Sequence, residues 1–306
     1  MRSPLAFPGW SHLSTRLRQS WLVWTIGALV GLLYGPLLWH WVDGWLKKTI
    51  SIEHEYFSHG LIGLPFAAYL AWSFRHHWRK LPHPSLLAQA AGFGLCAIAA
   101  GLYQTGLPDL VNVSLPMLLV GMVGLWKGLP GLKLQWFPLL LVLLATPNEL
   151  PYLITPYTLP LQSFIAHFAG FLLTIFGMDV TVEQINIFVN DRQVEVAPYC
   201  AGLKMMFTSL YVALMLLYWT NLLRSRSATF IFFIITIILS IAANIVRNTA
   251  LTFFHGTEQD GLFVWLHDSW GGDLYSAGLL GLLVMVIGKI EQWYEDRAIA
   301  PAGNDQ

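Results

Sequence analysis

Residues 228–246, ATFIFFIITIILSIAANIV, form a stretch of 19 residues without a single acidic or basic side chain. A helix of about 20 mainly apolar residues can cross the hydrocarbon core of a bilayer. The rest of the chain has the same character, because 56% of its 306 residues are hydrophobic and only 11% are charged. A typical soluble domain has about 25% charged residues. The sequence therefore predicts an all-α, multi-pass membrane protein.

Composition excludes several other classes of protein. The chain has 14 Trp, 18 Phe and 11 Tyr, which is too much apolar material for a disordered protein. Its two cysteines cannot form a disulfide scaffold. The 17 basic and 17 acidic residues give a net charge of zero, so no broad basic face is available for nucleic acid.

About eight transmembrane helices are predicted. The apolar windows are 21–42, 58–74, 86–104, 110–126, 134–147, 163–177, 201–219, 228–246 and 274–290. Basic residues favour cytoplasmic loops, and they cluster at Arg16/Arg18, at Arg75/Arg79/Lys80, at Lys127/Lys133 and at Arg224/Arg226. If these clusters are cytoplasmic, Lys47 and Lys48 lie on the outer side of the membrane, which is an exception to this preference. The prediction is one domain over 21–290, between a cytoplasmic segment 1–20 and a flexible cytoplasmic tail 291–306.

Window 163–177 is the exception to this alternation. It is short and follows Pro147, Pro151, Pro156 and Pro160. If it crossed the membrane, Arg224 would lie outside. We therefore predict that 148–177 is an interfacial or re-entrant element packed against the bundle, since such backbone needs protein around it.

The segment Asp179–Val196, DVTVEQINIFVNDRQVEV, differs from the apolar windows. Its valines and isoleucines recur with period two, and Asn190-Asp191 is a turn signal. This pattern predicts a small extracytoplasmic β-hairpin. The hairpin leads directly to Cys200.

Cys200 opens the helix window 201–219. A free cysteine is commonly a small buried apolar residue, and Cys96, inside an apolar helix, is assigned to that role. At a helix N-terminus, however, the thiolate is stabilised, and Lys204 adds a cation one turn later. A nucleophile and a structural thiol are both open alternatives for Cys200.

Arg247 and His267 are predicted on the same outer side as Cys200. Arg247 follows the window 228–246 and could be a snorkelling arginine, but such residues favour the cytoplasmic end. At the outer end it is a functional candidate that could hold a carboxylate or stabilise an oxyanion. His267 precedes the last helix, in an outer loop, and is a candidate general base. Asp268 is adjacent in sequence and is expected to point elsewhere, where it could orient a different group.

Other histidines offer weaker sites. The segment Glu53–His59, EHEYFSH, could bind a metal, but it lacks the HExxH pattern and has no partner pair of ligands. A structural or substrate-orienting role is favoured for it. His255 is an alternative base on the outer side.

Several motifs, in this order, resemble those of the exosortase/archaeosortase family. Phe57-Ser58-His59-Gly60 is similar to the family's early Ser-His-Gly segment. The β-rich stretch before Cys200-Ala201-Gly202 resembles its nucleophile motif. Asn244-x-x-Arg247 and the later His267 resemble its arginine and histidine motifs. Details around His59 and His267 are similar to the cyanobacterial branch, and Ala201 replaces a serine that is frequent in the family.

The resemblance implies a membrane-embedded cysteine transpeptidase of the bacterial inner membrane, acting on the periplasmic side. Its substrates would be membrane-anchored secreted proteins with a C-terminal sorting signal of the PEP-CTERM type, transferred to an unknown acceptor. Cys200, Arg247 and His267 would be catalytic, and His59, Lys204 and Asn244 would contact the substrate. The implied chemistry needs no metal or cofactor, and the implied partners are the substrate, the acceptor and the lipid bilayer, with no nucleic acid.

Two other function classes fit a multi-pass membrane protein. Proline-broken segments over 134–177 and intramembrane histidines would suit a transporter or channel. The chain shows no inverted repeats and little charge inside the spans, which disfavours transport. The third class is a noncatalytic membrane assembly protein.

Overall fold

The computed structural model describes residues 10–47, 56–190, 192–197 and 202–299. These residues form helices and one small sheet, which confirms the predicted class of fold. The helices are α1 (Trp10–Lys47), α2 (Gly60–Ser73), α3 (Arg75–Lys80), α4 (Leu86–Gln104), α5 (Pro108–Leu144), α6 (Leu150–Ile154), α7 (Leu159–Ile175), α8 (Leu203–Trp219), α9 (Arg226–Gly256), α10 (Asp260–His267) and α11 (Trp270–Ile299). The strands are β1 (Val180–Glu183), β2 (Asn186–Val189) and β3 (Arg192–Glu195).

Five described helices are long and apolar enough to cross a membrane: they are Thr25–Lys47, α4, α5, α9 and Trp270–Asp296. A sixth span results if Leu150–Tyr157 and α7, which are bent by 61° at their junction, count as one. Helices α2 and α8 are apolar but shorter. The protein is thus a multi-pass membrane protein, and the count of eight spans stays a prediction.

Helix α5 is broken at Gly128, whose φ of 58° and ψ of −151° are not helical. Side chains of its first arm, from Val113 to Val120, and of its second arm, from Trp136 to Leu143, line one shared cavity. The two arms therefore lie side by side. They correspond to the separately predicted windows 110–126 and 134–147.

The three strands form one antiparallel sheet in the order β1-β2-β3. The predicted hairpin corresponds to β2 and β3, which pair with Ile187 opposite Val194. A second turn at Gln184, with a φ of 55°, adds β1, so that Val182 also pairs with Ile187. The sheet thus has one strand more than the predicted hairpin.

The sheet packs on helix α7. Their common core consists of fully buried apolar side chains: Ile165, Ala166, Ala169 and Leu173 of α7, and Ile187, Val189 and Val196 of the sheet segment. A Cβ on Gly170 would lie 2.4 Å from Val182 Cγ2, so only glycine permits this approach. The sheet also contacts the last part of α9, through Ile245 and Phe253.

Two local predictions around the candidate site are wrong. Helix α9 continues to Gly256, so Arg247 lies within the helix instead of closing it. His267 is the last residue of helix α10 and not part of a loop. Helix α11 begins directly afterwards, at Trp270.

Candidate active site

The segment that follows Cys200 lies against helix α9. Cys200 itself lies outside the described residues, but Gly202 is described and precedes α8 with a φ of 78°. A Cβ added to Gly202 would lie 2.5 Å from Asn244 Cγ. Glycine is therefore required here both by the backbone conformation and by the contact with Asn244.

Asn244 is deeply buried, with 1% of its surface exposed. The side chain of Asn248, one turn later, donates a hydrogen bond from Nδ2 to the Asn244 carbonyl over 2.9 Å. Asn244 and Arg247 are three residues apart, so they share one face of α9. The Asn-x-x-Arg motif thus links the segment after Cys200 to the arginine.

Arg247 connects helix α9 to the end of helix α10. Its Nη2 donates to the carbonyl oxygen of Leu266 over 3.5 Å, a long hydrogen bond. Its Nε is buried and has no hydrogen-bond partner among the described residues. Gly272 leaves room for this arrangement, since a Cβ there would lie 2.8 Å from the same carbonyl. The guanidinium is therefore held beside the peptide that precedes His267.

The ring of His267 is oriented by two neighbours. Its Nδ1 donates to Asp268 Oδ1 over 2.6 Å. The ring also stacks on Phe263, with centroids 5.3 Å apart and planes only 7° apart. The expectation that Asp268 points away from His267 is wrong. In a neutral imidazole, donation of the Nδ1 hydrogen to the carboxylate places the lone pair on Nε2.

These contacts bring three separate segments together. Gly202 touches Asn244, Arg247 lies one turn along the same helix, and its guanidinium reaches the residue before His267. A cation and an imidazole therefore lie near the start of α8, where Cys200 was predicted. The distance from the Cys200 thiol to either group lies outside the described residues and stays a prediction.

His59, a predicted substrate contact, is buried, with 5% of its surface exposed. Its Nε2 bonds the Leu144 carbonyl at 3.1 Å, and its ring lies 4.3 Å from that of Tyr211. His59 also borders a cavity of about 330 Å³ with almost entirely apolar walls. These contacts show a packing role for His59, and its contact with substrate stays a prediction.

The two other predicted substrate contacts are on α8 and α9. Lys204 lies half-buried in the first turn of α8. Asn244 is buried, as described above. Binding of substrate by either side chain stays a prediction.

His255, the alternative base, is engaged elsewhere. Its Nδ1 lies 3.8 Å from Asp260 Oδ1, and its ring lies against Phe263, the residue that also stacks on His267, with centroids 5.3 Å apart. Arg192 of strand β3 donates to its carbonyl oxygen over 3.1 Å. His255 therefore belongs to the contact between the sheet and helix α10.

The described residues contain no group of three or more His, Cys, Asp or Glu that could hold a metal ion. Glu53, His54 and Glu55, the residues considered as metal ligands, lie outside the described part of the chain.

The family model described as transmembrane exosortase (Exosortase_EpsH) matches residues 41–284, which is more than three quarters of the chain. This chain belongs to the exosortase family. The match covers the early Ser-His-Gly segment, Cys200, the Asn-x-x-Arg motif and His267. No curated protein and no solved structure matches the chain. The cyanobacterial subtype stays a prediction.

Proposed function

We propose that this exosortase is a membrane-embedded cysteine transpeptidase that cleaves C-terminal sorting signals from secreted proteins and transfers the cleaved proteins to an acceptor. One observation carries the proposal: Arg247 and His267 lie together at the packing site of the segment that follows Cys200. This observation favours an enzyme over a transporter or an assembly protein, because an imidazole and a cation beside the segment that follows Cys200 are groups that can assist a thiol nucleophile.

The proposed reaction begins with a proton transfer from the Cys200 thiol to Nε2 of His267. The thiolate attacks the scissile carbonyl, and the new oxyanion is stabilised by the Arg247 guanidinium, whose buried Nε has no partner among the described residues. Collapse of the tetrahedral intermediate breaks the C–N bond, and His267 returns its proton to the leaving amine. A thioester on Cys200 remains, and an acceptor nucleophile or water then releases the product.

The proposed location is the periplasmic face of the bacterial inner membrane. A sorting signal contains a membrane-spanning helix, so the bilayer itself would hold the substrate at a fixed depth. The scissile bond would then lie at the outer membrane surface, at the level of Cys200. Holding both reactants in place in this way lowers the entropic part of the barrier.

The direct test is the replacement of Cys200 by Ala or Ser in purified, reconstituted protein with a tagged sorting-signal substrate. We expect Cys200→Ala to abolish processing, and Arg247→Ala and His267→Ala to reduce it at least 100-fold, about the contribution of one such group. Cys96→Ala is the matched control and should retain activity. Undiminished processing by Cys200→Ala would refute the proposed nucleophile, and an acyl-enzyme detected on Cys200 by mass spectrometry would support it.

A further inference from the structure

We propose that Asp268 is a positioning residue for His267, so that the catalytic group is a Cys–His–Asp arrangement assisted by Arg247. The proposal rests on the proposed function, since it assigns a role to Asp268 through His267. It is carried by geometry: the 2.6 Å contact between His267 Nδ1 and Asp268 Oδ1.

Two contacts restrain the His267 imidazole, and a third restrains the backbone that precedes it. Phe263, one turn earlier in α10, supports one face of the ring in a parallel stack. Asp268 accepts from Nδ1. Arg247 bonds the Leu266 carbonyl, which belongs to the peptide that joins Leu266 to His267. These contacts hold the ring in one orientation, with Nδ1 toward Asp268 and Nε2 on the other side of the ring.

The chemical consequence is a single tautomer. With its hydrogen on Nδ1 donated to a carboxylate, the imidazole keeps the lone pair on Nε2, which is the form a general base needs. When Nε2 takes the thiol proton, the ring becomes a cation beside the Asp268 carboxylate. The carboxylate stabilises this cation without being protonated, so one proton moves from sulfur to Nε2 and no other transfer is required.

The exposure of Asp268 separates this role from a purely structural one. Its side chain is 62% exposed and that of His267 is 28% exposed. Exposed ion pairs contribute little to folding. Removal of the carboxylate should therefore leave the fold intact while it disturbs the orientation of the imidazole.

The test compares Asp268→Asn and Asp268→Glu in a Cys96→Ala background, in which Cys200 is the remaining cysteine. Asn has the shape of Asp but its NH2 group can donate to Nδ1 and select the other tautomer. We expect Asp268→Asn to lower kcat about 100-fold, the lower end of the contribution of a general base, with KM within about twofold. The longer carboxylate of Asp268→Glu should restore part of this loss. Asp179→Asn, another exposed carboxylate at the start of the sheet, is the matched control and should match the parent protein.

A second measurement is the rate at which a small thiol reagent alkylates Cys200, which requires no substrate. We expect Asp268→Asn to slow it several-fold and Asp268→Glu to recover part of the rate. Wild-type kcat and alkylation rate in Asp268→Asn would overturn the proposal. An equal loss in both variants, accompanied by a lower unfolding temperature, would also overturn it and leave Asp268 a structural residue. Processing that persists in Cys200→Ala would instead refute the proposed function, so the two failures are distinguishable.

Discussion

At the scale of the residue, Gly202 connects the sequence motif to the packing of the site. Its φ of 78° lies in the left-handed region, which costs an L-residue about 1–2 kcal/mol. The space for a Cβ is also occupied, since Asn244 Cγ would be 2.5 Å away. The second position after Cys200 therefore accepts only glycine if the segment is to rest on α9.

We predict that Gly202→Ala will abolish most of the processing activity and lower the free energy of unfolding by about 3 kcal/mol, the backbone penalty plus overpacking. Gly177→Ala is the matched control, because Gly177 has a φ of 84° but no atom within 4 Å of the added Cβ. The control should lose only about 1–2 kcal/mol and keep its activity. Thermal unfolding in detergent and a processing assay measure both effects. Equal behaviour of the two variants would show that the Asn244 contact is irrelevant.

The residue types of the site were predictable from sequence, but the contacts of Asp268 were not. Adjacent residues usually point in different directions, and adjacency in sequence is the reason for expecting Asp268 to face away from His267. The helix, however, ends at His267. Asp268 is the residue after the helix, and its side chain turns back to the imidazole. Adjacency in sequence could not reveal this contact, because it depends on the end of a helix that the sequence pattern does not predict here.

At the scale of the element, hydrogen bonds from Arg192 join strand β3 to the end of α9. Its Nη1 donates to the His255 carbonyl and to Asp260 Oδ1, both over 3.1 Å. Asn190, in the turn between β2 and β3, donates to the Gly256 carbonyl over 3.0 Å. The last carbonyls of a helix lack partners within the helix, and these two side chains supply them. The sheet that precedes Cys200 is thus tied to helix α10, which carries His267.

We predict that Arg192→Met will loosen the sheet and reduce processing, with a loss of about 1 kcal/mol in the free energy of unfolding. The estimate is low because Asp260 is 64% exposed and the ion pair is screened. Limited proteolysis should cut the β2–β3 turn faster in this variant, and the effect should shrink as salt rises. Arg79→Met, at an exposed arginine of α3, is the control. A proteolysis rate equal to that of the control would show that Arg192 does not hold strand β3 against α9.

Hydropathy located the elements well but misjudged their ends. The window 228–246 stops at the first charge, whereas α9 continues because the sheet covers its last turns. A Cβ on Gly256, for example, would lie 2.5 Å from Val189 Cγ1. Hydropathy therefore predicts where the apolar part of a helix ends. The end of the helix itself depends on packing against the rest of the protein. The third strand was missed for a related reason, since its turn uses Gln184 at a positive φ without the usual Gly, Asn or Asp signal.

At the scale of the whole molecule, the contacts support the predicted grouping of basic residues. Lys127 Nζ donates to the Leu81 carbonyl over 2.8 Å, beside the cluster that contains Arg79 and Lys80. Two of the four basic clusters therefore lie at the same end of the bundle. The membrane character and this grouping follow from composition and loop charge, which are properties of the sequence. Whether residues 148–177 cross the membrane is not fixed by composition or loop charge. It depends on what packs against α7.

Helix α7 has two opposite apolar faces, and their partners favour an interfacial position. One face packs on the sheet, as described above. The other exposes Phe164, Phe168, Phe171 and Ile175, spaced to form a single stripe along the helix. A sheet with open edges cannot lie in hydrocarbon, because its backbone groups would lack partners. Since the sheet packs along α7, we infer that α7 lies at the membrane surface, with the phenylalanine stripe toward the acyl chains and the sheet above it.

This position predicts that both ends of the α6–α7 segment lie on the outer side. In a Cys96→Ala, Cys200→Ala background, single cysteines at Glu149 and at Asp179, both exposed, should react with a membrane-impermeant maleimide in cells whose outer membrane alone is permeable. A cysteine at His77, within the basic cluster predicted to be cytoplasmic, should react only after the inner membrane is opened. If Asp179 is protected while Glu149 reacts, the bent pair crosses the membrane. The sheet would then lie on the cytoplasmic side, and substrate processing at the periplasmic face would be impossible. The labelling pattern therefore tests the fold and the proposed side of catalysis together.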